Sequence, residues 1–426
     1  MMLNPKELLS DNPHFNMLCM LLLLTLATLP FTNWLLLPIT VAMIVNWVWE
    51  WNWKEKINNL RNRATWPAAL IFSSLYLLTI LGFFISSNKD VALTEFDCDL
   101  LFLVAPIVIL SYKPELFTPA RMRLLFGIFV VSCILQCLII VPLGIYRVAV
   151  SGNNKYLYYI FLSIFKHPTY VAMYMTFALF LLLKDSFDHW PTTTKAYRIA
   201  AIAASVLLFL TTILLQSKAG LICIALLSII WIFYYFAIRL RKTILSLLVL
   251  AAVAGCTFLV YQSGIIGNNR AQDTIEQLKT HHKNDSSGKG SSEVRLTIWK
   301  CALEVSQKNL PWGTGTGDAI EEMKLNALEK NYTNLLDRNY NAHCQYIQEL
   351  METGIIGLVI TLVYCLFPMI ESIRRRNILL FTFALLVLLN ISVECMFEVR
   401  SGVAFIAITN VLLWRMDDTE KLTINT

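Results

Sequence analysis

Three short stretches of this sequence have residue types and spacing that could do chemistry. In Gln216-Ser217-Lys218-Ala219-Gly220, a lysine occupies a break between two apolar runs. The helix that follows it presents its N-terminus beside the cation, which makes an anion site, and the small residues Ala219 and Gly220 let a ligand or another backbone come close. The alternative is a lysine snorkelling from a helix end. The second stretch pairs Arg295 with Trp299, four apart on a helix reading to about Lys308, where Val294, Ile298, Cys301, Ala302 and Val305 fall at helical spacing behind a Ser291 or Ser292 cap. Behind it, Gly313, Gly315 and Gly317 alternate in Leu310-Pro311-Trp312-Gly313-Thr314-Gly315-Thr316-Gly317-Asp318. Such glycines permit close backbone approach, but no strand precedes them, so a dinucleotide fingerprint is excluded. Asp318 reads as the cap of a helix over 319–330. In the third stretch His343 opens an amphipathic helix with Tyr346, Ile347 and Leu350 on one side, leading through Gly354 and Gly357 into an apolar run. A histidine at a helix start is a capping or packing residue unless its surroundings give it a task.

The elements that must position these residues are membrane helices. Hydrophobic residues make up 57% of the 426 and charged ones 15%, against about 45–50% and about 25% in soluble domains. Mean hydropathy is +0.59. This is an all-α polytopic membrane protein, and nucleic acid is excluded as a partner despite the net charge of +6. Twelve apolar stretches fall at 15–31, 34–50, 67–87, 100–112, 123–146, 169–184, 199–216, 219–238, 243–262, 353–370, 377–393 and 402–415; the first two form a tight hairpin at Thr32 and Asn33. The N-terminal segment has no cationic region and no cleavage pattern, so the first helix is read as retained. With the N-terminus inside, the cytoplasmic loops hold sixteen Lys and Arg and the short external loops six, as the positive-inside rule requires. Both termini are then cytoplasmic. The chain divides into transmembrane helices 1–9 at 1–263, a mainly helical periplasmic loop at 264–348, and transmembrane helices 10–12 with a tail at 349–426. Within that loop, 268–283 is polar with helical spacing and 284–292 reads as a flexible linker; Gly288-Lys289-Gly290 lacks P-loop spacing. Lys218, Arg295 and His343 fall on one face of the membrane. Most of the ten cysteines read as small core residues, and no metal-ligand spacing is present.

These residues resemble the O-antigen ligase and O-antigen polymerase superfamily of bacterial envelope glycosyltransferases. The resemblance rests on four segments in order: Gln216 to Gly220; Arg295 and Trp299 with Pro311, Gly313, Gly315 and Gly317; His343 with Gly354 and Gly357; and Glu394 with Arg400 before the last span. His167-Pro168-Thr169-Tyr170 is similar to the family as well. The chain departs from the pattern at Lys218, where an arginine is usual, and at Cys344, where Asn, Ser or Gln is usual. Lysine keeps the charge and loses the bidentate fork, and Cys344 cannot supply an amide hydrogen bond, for which the neighbouring Gln345 is the candidate.

The resemblance implies a GT-C-type fold of about twelve transmembrane helices. It also implies metal-independent, cofactor-free transfer of a glycan from undecaprenyl diphosphate to an acceptor hydroxyl, with inversion, at the outer face of the inner membrane. Lys218 and Arg295 would then bind diphosphate with help from Gln216, Ser217 and Arg400. His343, whose type titrates near neutral pH, would orient or deprotonate the acceptor, with Glu394 supporting it; a structural ion pair is the other reading of Glu394 and Arg400. The acceptor is lipid A-core oligosaccharide in a ligase, a second lipid-linked repeat unit in a polymerase, and a protein in an O-oligosaccharyltransferase. A lipid-linked saccharide transporter is the rival of another class, and would need ionisable groups at the membrane midplane.

Overall fold

The computed structural model describes residues 8–249, 251, 291–336 and 338–424. Among them the regular elements are helical, and the principal ones are α1 (Pro13–Thr28), α2 (Leu36–Trp49), α3 (Trp53–Arg61), α4 (Trp66–Ile85), α5 (Lys89–Ser111), α6 (Pro119–Ser151), α7 (Pro168–His189), α8 (Lys195–Leu214), α9 (Lys218–Ile232), α10 (Ser291–Lys308), α11 (Ala319–Glu329), α12 (Gln345–Arg375), α13 (Ile378–Ile391) and α14 (Arg400–Ile424). Local chemistry sets many of the starts. Asn12 accepts from the N–H groups of His14 and Phe15 ahead of α1, Thr118 from Arg121 ahead of α6, and Asn377 from Leu380 ahead of α13, each satisfying a donor that the first helical turn leaves open.

Each apolar stretch within the described residues coincides with a helix, yet the helices differ in kind. Six are long and apolar enough to cross a membrane: α4, α6, α7 with the turn after it, α8, α9 with its π-helical continuation Phe233–Arg239, and α12. Three shorter apolar helices are α1, α2 and α13. The 243–262 stretch lies largely outside the described residues, as do the polar stretch 268–283 and most of the linker at 284–292. The fourth stretch is the second half of a longer helix than its apolar residues suggest. The acidic segment before it is helical as well, because Asn88 caps α5 by accepting from Val91 and the helix continues through Glu95, Asp97 and Asp99. Nor is the first hairpin tight: seven residues separate α1 from α2, and Pro30, which has no N–H to donate, stands where α1 stops.

Helices α6, α7, α13 and α14 meet around Phe405, whose ring lies 4.8 Å from Tyr174, 5.2 Å from Phe383 and 5.5 Å from Phe129. Helix association in a lipid environment rests on such packing, since lipid tails are as apolar as the side chains. At the end of the bundle away from His343, two buried arginines staple the chain. Arg121 donates to the carbonyls of Leu8, Leu9 and Leu116, and Arg415 to those of Leu110 and Tyr112.

At the other end α10 and α11 form a layer with its own small core of Ile298, Cys301, Ala302, Val305, Ala319, Met323 and Ala327, closed against Met351 of α12 and Cys395. The nine described cysteines are free thiols, Cys301 and Cys344 among them.

Candidate active site

Arg295 leaves α10 in its second turn, and α10 packs against α12. His343 precedes α12 by two residues, and Glu394 lies in the turn between α13 and α14. These three segments, far apart in sequence, converge. His343 Nδ1 lies 3.3 Å from Glu394 Oε1, and Arg295 Nη2 lies 3.6 Å from Glu394 Oε2. The carboxylate is buried, whereas the arginine and the histidine each keep a partly exposed side chain. Burial alone would raise the pKa of Glu394, but the hydrogen bond and charge of His343, with the charges of Arg295 and His167, hold it below its ordinary value.

His343 does not itself begin the helix. Its φ is +46°, a region that non-glycine residues seldom occupy, and its N–H is held by Asn341 Oδ1 at 3.2 Å. The helical cap is Cys344, whose side chain makes no cap hydrogen bond, so the thiol leaves undone what an Asn or Ser would do there.

His167 belongs to this group although the sequence pattern gave it less weight. It occupies the N-cap position of α7 without a side-chain cap hydrogen bond and is exposed. Crowding of its ring by protein lowers its pKa, Glu394 opposes that, and Arg295 and His343 add to it. A histidine ahead of a proline at the mouth of a span, at the same end as Lys218, was the available signal.

Lys218 is the first residue of α9 and is exposed. Gln216 turns the chain at φ +45°. Ser217 caps α9 by accepting from the Gly220 N–H at 3.3 Å, and lies 3.4 Å from Thr169 Oγ1, which links this corner to the segment that carries His167. The small residue at Gly220 serves a neighbouring helix: a Cβ there would collide with Ala172 of α7.

Arg400 pairs with Asp97 of α5 and not with the His343 group. Trp299 packs against the small core. Gln345 is buried at the start of α12 and accepts from the Phe397 N–H at 3.0 Å. The glycines at 313, 315 and 317 form a strap that approaches protein backbone. The Thr314 and Gly315 N–H groups donate to the Met351 and Glu352 carbonyls, each at 2.8 Å, and Ile355 N–H donates to Pro311 at 3.1 Å. Those carbonyls are open because Gly354, at φ 66° and ψ −148°, breaks the helical course of α12. Gly317 N–H reaches Ser86 Oγ at 2.9 Å. Asp318 makes no side-chain cap for α11. Its carboxylate instead accepts from the Ser87 and Asn88 N–H groups at 2.5 and 2.9 Å, tying the strap to the start of α5.

Residues 203–362 match the family model described as O-antigen ligase. That match supports the O-antigen ligase superfamily. It takes in Lys218, Arg295 and His343, while Glu394, Arg400 and His167 lie beyond it. No curated protein matches the chain. The O-antigen ligase match and the apolar helices together support a multi-pass bacterial inner-membrane protein of broadly glycosyltransferase type.

Proposed function

We propose that the protein moves a glycan from undecaprenyl diphosphate to a hydroxyl of lipid A-core oligosaccharide at the periplasmic face of the inner membrane, without a metal and with inversion, on a GT-C-like bundle of about twelve spans. The observation that carries this reading is the convergence of Arg295 and His343 on the single carboxylate of Glu394.

With Nδ1 facing a carboxylate, the neutral imidazole carries its proton there and leaves Nε2 as an acceptor. The acceptor hydroxyl gives its proton to Nε2 while its oxygen bonds to the anomeric carbon. The bond from that carbon to the diphosphate oxygen breaks, and its electron pair leaves with the diphosphate. Glu394 stabilises the imidazolium that forms. Arg295, with guanidinium nitrogens beyond the one turned to Glu394, binds the diphosphate through charge-assisted donors. Lys218 adds a point charge at a helix N-terminus. Arg400, engaged with Asp97, takes at most an outlying part.

Glycan profiling of a deletion strain tests the choice of acceptor. Full-length lipid-linked polymer that accumulates unattached supports the ligase reading. Single lipid-linked repeat units identify a polymerase instead, and an unchanged lipopolysaccharide with unglycosylated protein identifies a protein O-oligosaccharyltransferase. A transporter would tolerate His343→Ala far better than an enzyme.

A further inference from the structure

Gln345 and Gln348 repeat one arrangement a single helical turn apart. Both side chains are fully buried, at 0% and 1% exposure. Gln345 Oε1 accepts from the Phe397 N–H at 3.0 Å, and its Nε2 lies 3.2 Å from Glu349 Oε1 and 3.3 Å from Glu398 Oε1. Gln348 Oε1 accepts from the Ala342 N–H at 2.8 Å, and its Nε2 donates to Glu352 Oε1 at 2.5 Å. In each case the amide oxygen holds a backbone donor of a segment without regular structure, and the amide nitrogen is held by a carboxylate four residues on.

That arrangement fixes which way each amide points. A backbone N–H can only donate, so it demands the oxygen; a carboxyl C=O oxygen, on an ionised or a neutral group, accepts and so draws the NH₂ group. A flipped amide would set donor against donor and lone pair against lone pair in a buried place, where unsatisfied polar groups are costly. The two held segments are the ones that carry the pair at the centre of the site: Ala342 precedes His343, and Phe397 follows Glu394 by three residues. Neither His343 nor Glu394 lies inside a helix, so their separation depends on such anchors.

We infer that Gln345 and Gln348 are positioning residues that hold Glu394 and His343 in register from the first turns of α12, with Glu349 and Glu352 setting the direction of the two amides. The inference rests on the function proposed above. It makes α12 a common ruler for two loops that arrive from opposite directions in the chain. Misplacement of a reacting group by about 1 Å costs on the order of 10²-fold in rate, which sets the scale of the effect.

The test uses full-length protein in lipid nanodiscs, a defined polyprenyl-diphosphate donor and its acceptor. Gln345→Ala and Gln348→Ala are expected to lower kcat by about 10–10²-fold; donor KM stays within about threefold in Gln348→Ala, which acts through His343, whereas Gln345→Ala also shifts the carboxylate that meets Arg295 and raises donor KM more than Gln348→Ala does. In a His343→Ala background, Gln348→Ala should add less than about a twofold further loss, since it acts through the imidazole; Gln345→Ala in a Glu394→Gln background should behave likewise. If the alanine variants do not accumulate, Gln345→Asn and Gln348→Asn, which keep the amide on a shorter arm, are measured against the same expectations. Losses that multiply in the double variants, or wild-type kcat in Gln348→Ala beside a crippled His343→Ala, overturn the positioning role alone. Wild-type turnover in His343→Ala overturns the proposed function and the inference together.

Discussion

His343 has a left-handed backbone and a carboxylate on its Nδ1, and strain of that kind is tolerated where surrounding structure over-determines it. His343→Ala should therefore lower transfer by about 10²–10⁴-fold, the usual yield of acid–base help, with folding intact. A residue that only packs would instead cost about 0.5–2 kcal/mol of stability, as caps do, and leave turnover of the folded fraction near normal. The two cations should fail differently. Arg295→Lys should lose most activity because the planar fork is gone, whereas Lys218→Arg should retain it, and donor KM measured in both variants decides the matter. The ion pair also predicts a pH dependence. Glu394 has a folded pKa below its ordinary value of 4.5, so the unfolded chain binds more protons in the window between the two values. Its contribution to stability is then present above about pH 4.5 and disappears as pH falls through the depressed folded value. Thermal melts of the detergent-solubilised protein should show that acid slope, and Glu394→Gln should flatten it; an unchanged slope would break the assignment. At this scale the sequence exposed Arg295 and His343 by family spacing and Glu394 by its place before the last span. It gave no sign of the Arg400–Asp97 pair, because Asp97 is some three hundred positions away and no local pattern connects them.

Helices were legible wherever apolar runs and caps coincide, because both signals are local. What escaped was contact between elements. Asp318 looks like a cap for the helix after it, yet its carboxylate is taken by N–H groups ahead of α5, a choice that only the folded strap allows. The alternate glycines were correctly read as places of close approach, but the approaching partner is the backbone of α12 and the turn before α5. Gly354 shows the consequence. It sits at φ +66° with the Pro311 carbonyl against the position that a Cβ would take, so Gly354→Ala should push the strap off α12 and lower both the melting temperature and activity. Gly127, inside α6 with open space where its Cβ would be, is the matched control. Gly127→Ala should be neutral or stabilising by about 0.4–1 kcal/mol, the gain from helix propensity and a less flexible unfolded chain. Equal melting temperatures for the two variants would mean that the strap does not hold the α10–α11 layer in place.

At the scale of the whole molecule, the placement of charge agrees with the course of α12. The positive-inside count sets Arg374, Arg375 and Arg376 on the cytoplasmic side and Lys218, Arg295 and His343 on the other. From Gly354 to Arg375, α12 rises about 32 Å at 1.5 Å per residue, enough to cross a hydrocarbon core of about 30 Å. A helix with His343 just before one end and three arginines at the other is therefore expected to have its ends in different compartments. Single cysteines introduced at Lys330 and Arg374, both well exposed, test this in intact cells. The nine described native thiols are buried or half-buried, so they should add little background. Lys330→Cys should react with an impermeant maleimide added outside, and Arg374→Cys should react only once the membrane is opened. The reverse pattern would place the His343 group in the cytoplasm, away from any periplasmic acceptor. Labelling of both from outside would deny α12 its passage through the bilayer, and with it the arrangement that sets the proposed diphosphate site on one face and the arginine cluster on the other.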